Sequence, residues 1–124
     1  MPGVEKANLD ELEAFITRDG SSIRELAGPA WTAARNQSLA EATVAAGGET
    51  AEHYHPRAEE LYYFCGGAGR MRLGDSETDV RRGDCVVIPP GVAHKLWNPG
   101  PEPLVLLCCC APAYRDDDTV MTGR

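Results

Sequence analysis

Hydrophobic and polar positions along the 124-residue chain follow a period of two over short stretches, separated by glycine and proline. Residues 22–26 and 37–45 read as early strands, the second with too many small residues to say which face is inside. Gly47-Gly48 turns the chain into a polar stretch around 53–60, and residues 61–65 form an aromatic-rich strand. A turn at 66–69 leads to a hairpin of residues 70–73 and 77–81 about Gly74-Asp75. Residues 85–88, 95–97 and 104–110 complete the series, the last being the most apolar run in the chain. Only the N-terminal part departs from this period. Leu9, Leu12, Phe15 and Ile16 recur at helical spacing behind a capping box at Asn8 and Glu11. They predict a short amphipathic helix reaching Thr17 and packed on the outside of the barrel. Short strands punctuated by Gly and Pro predict an all-β barrel or sandwich.

Length bounds the chain to one domain, divided into an N-terminal helix and extension (1–35) and a barrel (36–124). With 12 basic and 19 acidic residues the net charge is −7, which argues against nucleic acid and anionic membrane as partners. No apolar run is long enough to span a bilayer, and the first residues carry charge where a signal peptide needs an apolar core; a cytoplasmic protein is expected. The five cysteines form no CxxC pair and no even framework, and read as small apolar fillers. Alternation puts Cys108 and Cys110 on one side of a strand and Cys109 on the other. Asp116, Asp117 and Asp118 read as a solvated acidic patch rather than a metal site.

All three histidines lie in two places, at 53 and 55 and at 94. On a strand, His53 and His55 point to the same face, and Pro56 then bends the chain so that a following carboxylate can swing back toward them. Two imidazoles and a carboxylate are the donor set of a divalent transition-metal site with open positions, and His94 supplies a fourth ligand. Alone, a His-x-His pair fits a polar strand edge as well. The spacing Gly83, Pro89, Gly91, His94, Asn98 changes that balance.

Together the two stretches resemble the cupin motifs G-x5-H-x-H-x3,4-E-x6-G and G-x5-P-x-G-x2-H-x3-N. Gly47, His53, His55, Glu60 and Gly67 fit the first, although Glu59 with Gly66 fits its shorter form equally. The run HPRAEE is similar to the HPRATE of germins, whose last residue is the ligand, so Glu60 is preferred. The resemblance implies a double-stranded β-helix, or jelly-roll barrel, with a metal held by His53, His55, Glu60 and His94. Fe, Mn, Ni, Co and Zn all suit these donors.

If Glu60 points inward, so do Tyr62 and Phe64; if His94 does, so does Leu96, leaving Trp97 outside. Arg35 and Gln37, on an early strand, are candidate polar contacts to a substrate. Tyr62 is the candidate catalytic side chain, a core aromatic with a satisfied hydroxyl being the equal alternative. Every histidine is assigned, so no serine or cysteine nucleophile has a base of its own.

The expected function is that of a metal-dependent enzyme acting on a small oxygen-rich metabolite. A dioxygenase stands slightly ahead of an isomerase, lyase or decarboxylase. The alternative is a non-catalytic module that binds metal and a small ligand; four intact ligands and no room for a helix-turn-helix weigh against it. A homodimer is expected from the resemblance, with Trp31 or Trp97 in the contact.

Overall fold

The computed structural model describes residues 3–124; Met1 and Pro2, the start of the expected extension, lie outside the described residues. The chain forms β1 (Phe15–Ile16), β2 (Ser22–Ala27), β3 (Ser38–Val44), β4 (His53–Tyr54), β5 (Glu59–Gly66), β6 (Ala68–Leu73), β7 (Ser76–Arg81), β8 (Cys85–Ile88), β9 (His94–Trp97), β10 (Leu104–Ala111) and β11 (Val120–Met121). A six-stranded sheet runs β1-β2-β3-β10-β5-β8 and a five-stranded sheet β11-β4-β9-β6-β7, every pair antiparallel. This is the expected jelly roll.

Alternation in the sequence becomes alternation in burial most clearly in β5. Glu60, Tyr62 and Phe64 are buried, while Glu59, Leu61, Tyr63 and Cys65 face out. One end of the barrel is a packed core in which Phe64, Met71, Val80, Ile88 and Leu104 are at most 2% exposed. The other end is open, and there the histidines stand.

The expected N-terminal helix is not formed. Asn8 does accept a hydrogen bond from the backbone N–H of Asp10, but the helix amounts to one 3-10 turn, Leu9–Glu11. Phe15 and Ile16 instead pair with Ile23 and Ser22 through a turn at Gly20. A helix of so few residues is marginal by itself, whereas Phe and Ile suit a sheet edge that supplies backbone partners.

The motif residues that are not metal-ligand candidates have structural work to do. Gly67 has a positive φ of 78°, and a Cβ there would collide with the Pro103 carbonyl. Gly91, at φ 80°, donates its N–H to the His55 carbonyl at 2.8 Å and so ties the second motif to the first. Asn98 is fully buried and donates to the carbonyls of Val44 and Glu102.

Candidate metal centre

His53 on β4 and His94 on β9 are directly paired across the five-stranded sheet. His55 lies just past the end of β4, where Pro56 follows. One ring nitrogen from each of the three lies within 4.8 Å of the others. The rings are oriented from behind. Nδ1 of His53 meets the Ala51 carbonyl at 3.1 Å, Nδ1 of His94 meets the Val92 carbonyl at 3.1 Å, and Nδ1 of His55 meets the Asp118 carbonyl at 3.0 Å. A carbonyl only accepts, so each Nδ1 carries the proton in the neutral ring and each Nε2 keeps a free lone pair.

Glu60 enters from the facing sheet. Its Oε1 is 3.3 Å from His55 Nε2 and 3.4 Å from His94 Nε2. Glu59 is exposed and points away, so the carboxylate beside the histidines is the one in the four-residue-gap register. Glu60 Oε1 and His94 Nε2 are buried atoms with no hydrogen-bond partner. Orphaned buried polar atoms are costly unless something completes them. A divalent cation among three imidazole lone pairs and one carboxylate oxygen does so, and the donor set therefore fits the metal that the motif implies.

The electrostatics point the same way. Burial works to raise the Glu60 pKa, but the neighbouring His55 and His94 hold it down at about 2. Burial works to lower that of His55, and the neighbouring Glu60 carboxylate nonetheless raises it. Burial, then the neighbouring His94, lowers that of His53. The centre thus carries an anion ready for a cation.

A cavity of about 830 Å³ opens from the centre to the surface. Of the pocket residues expected from the sequence, Tyr62, Leu96 and Arg35 line it and Phe64 and Gln37 do not. Phe64 does face inward, but one step deeper, in the sealed core. Gln37 is exposed ahead of β3. Arg35 stands on a loop at the mouth rather than on a strand, with its guanidinium donating to the carbonyls of Thr32 and Ala34. Tyr62 packs edge-on to His94 with ring centroids 5.6 Å apart. Burial, then the Glu60 charge, pushes its phenol pKa well above the ordinary value.

Two contacts escaped the sequence reading. Cys110, read as a filler, donates its thiol to Glu60 Oε2 at 3.1 Å. Burial and the Glu60 charge keep that thiol protonated. Its alternation with Cys108 was the only available signal. Asp118 belongs to the acidic run expected to be solvated, and it is buried. Its two carboxylate oxygens accept the backbone N–H groups of Arg57 and Ala58, each at 3.0 Å, while Asp116 and Asp117 are exposed as expected. Of the two tryptophans expected at a contact between copies, Trp31 is exposed and Trp97 half-buried. Trp97 lies beneath Arg72 and Lys95, and Trp31 is at the cavity mouth.

An antiparallel double-sheet barrel with three histidines and a glutamate converging at its open end defines a double-stranded β-helix protein with a candidate metal centre. The sequence profile of the cupin domain matches residues 40–110, and the chain belongs to the cupin family. An uncharacterized protein of Methanocaldococcus jannaschii is 44% identical over 92% of this chain and 91% of its own length. Among solved structures, Streptomyces PAC13 with uridine superposes with a TM-score of 0.78 at 16% identity, covering 98% of this chain and 92% of that one. Oxalate decarboxylase of Lactobacillus farciminis in complex with formate superposes with a TM-score of 0.76 at 24% identity. The match covers 91% of this chain and 34% of the decarboxylase. At these identities the likeness is one of fold. No helix among the described residues is long and apolar enough to cross a membrane.

Proposed function

We propose that this protein is a metal-dependent enzyme that binds one divalent transition ion through His53, His55, Glu60 and His94 and acts on a small molecule entering from the cavity. The observation that carries this reading is the convergence of unpartnered, buried Glu60 Oε1 and His94 Nε2 on a centre whose histidines are all held by Nδ1. A six-coordinate ion held by these four residues would keep positions for substrate oxygen, whereas a closed structural site would have none. Once bound, the ion supplies Lewis-acid polarisation of a coordinated oxygen, or oxygen chemistry if it is iron.

The chain's own residues set the surroundings. Tyr62 keeps its proton across the physiological range and serves as a hydrogen-bond donor to a ligand oxygen, not as a base. Val44, Leu96 and Leu106 line the cavity and exclude water from its inner part. The cavity opening from the centre supports a site that admits a small molecule over a closed structural metal site.

Ligand substitutions test the assignment. Glu60→Gln removes the anionic donor and weakens metal binding strongly. Glu59→Gln, on the outer face, leaves the metal dissociation constant within about twofold. Equal losses in the two variants, measured by competition with a chromogenic chelator, would contradict the proposed ligand set.

A further inference from the structure

The cavity beside the metal centre has an unusual wall. On β3 and β10 the residues that line it are Val44 and three pairs in direct register: Ser38 with Cys110, Ala40 with Cys108, and Ala42 with Leu106. Five of the six paired side chains are small. Large inward residues would have closed this side of the barrel, as Phe64, Met71 and Ile88 close the opposite end. The small pairs instead leave a shallow slot over this face of the sheet, in the cavity that Glu60 also lines. Ile23, Val44 and Leu96 line the cavity with it, and Phe15 and Trp31 stand at the mouth. β3 and β10 present no charged side chain to the slot, since Glu41 is on the other face, paired with Arg24; on the neighbouring β2, Glu25 pairs with Ala40 and lines the cavity, its Oε2 accepting from the Trp31 indole N–H.

Resting on the metal-centre reading above, we infer that the site takes a molecule with two faces: a chelating pair of oxygens for the metal and a flat apolar body, of ring size or larger, lying in the slot over the paired strands β3 and β10. A molecule that is all polar oxygen satisfies the metal but leaves the apolar walls wet. The volume of about 830 Å³ is far more than a chelating group alone would fill. Apolar contact scales with the area removed from water, so ligand affinity here tracks the size of the body attached to the chelating group.

Three hydroxamates that share one chelating group and differ only in the body test this. Acetohydroxamate, benzohydroxamate and naphthohydroxamate are titrated into the cobalt-loaded full chain, followed by the visible spectrum of the ion. Benzohydroxamate is expected to bind about tenfold tighter than acetohydroxamate, with a further gain for the naphthyl compound. Ala40→Leu fills the slot without touching a ligand residue. It is expected to abolish the gain from the rings while keeping cobalt and acetohydroxamate binding. Ala40→Val serves in its place if the leucine variant does not fold, with the same expectation at smaller amplitude. Equal affinity for all three compounds in the unsubstituted chain would overturn the two-faced ligand, as would an unchanged ring preference in a cobalt-loaded Ala40 variant. Failure to take up cobalt at all would contradict the metal centre itself, a result distinguishable from either.

Discussion

At the scale of single residues, the proposed metal centre rests on side chains outside its ligand set. Glu60 has two oxygens, and Cys110 occupies one of them with its S–H, leaving Oε1 alone to face the histidines. A thiol is a weak donor, but one aimed at a buried carboxylate gains from the charge. Partners of this kind typically govern metal affinity by about 10- to 100-fold. Cys110→Ala is therefore expected to weaken metal binding by about tenfold, and Cys110→Ser, which keeps a donor, to restore most of it. Isothermal titration of both variants distinguishes this from a packing effect. If serine and alanine lose affinity equally, the thiol is only a filler, as its composition suggested.

At the scale of elements, the last strand and the turn before it brace the ligand strand from outside. Val120 and Met121 of β11 pair with Tyr54 and His53 of β4. Asp118 holds His55 through its carbonyl and the 57–58 backbone through its carboxylate. Asp118→Ala would strand two backbone N–H groups, each costing about 1–3 kcal/mol if water does not reach them. The variant is expected to unfold at lower urea and to bind metal more weakly, as denaturation and chelator competition will show. Unchanged values in both would mean that this segment merely lies beside the site.

The histidines and their carboxylate were legible because motif spacing records them locally. Alternation in β5 likewise placed Tyr62 and Phe64 inward. Alternation says which face a residue is on, not how deep, and Phe64 went to the core instead of the cavity. Asp118 was not legible: its contact with His55 spans 63 residues, and an Asp-Asp-Asp run looks solvated wherever it sits. The N-terminal helix failed for a related reason. Leu9, Leu12, Phe15 and Ile16 fit a helical period, but the free edge of β2 offered Phe15 and Ile16 a better partner than each other.

For the molecule as a whole, the two ends of one barrel are built differently. Large side chains fill the closed end, and small ones on β3 and β10 leave the other end open around the histidines. The chain's net charge of −7 complements a bound cation only weakly at long range; the buried Glu60 and three lone pairs do the local work. The central claim is that this end of the barrel is built to hold an ion. Metal analysis by mass spectrometry, on protein purified without chelators and again after reconstitution, measures that directly. The account predicts about one divalent transition ion per chain, and almost none in His94→Ala. An unsubstituted chain that remains metal-free after reconstitution with iron, manganese, cobalt, nickel and zinc would contradict it.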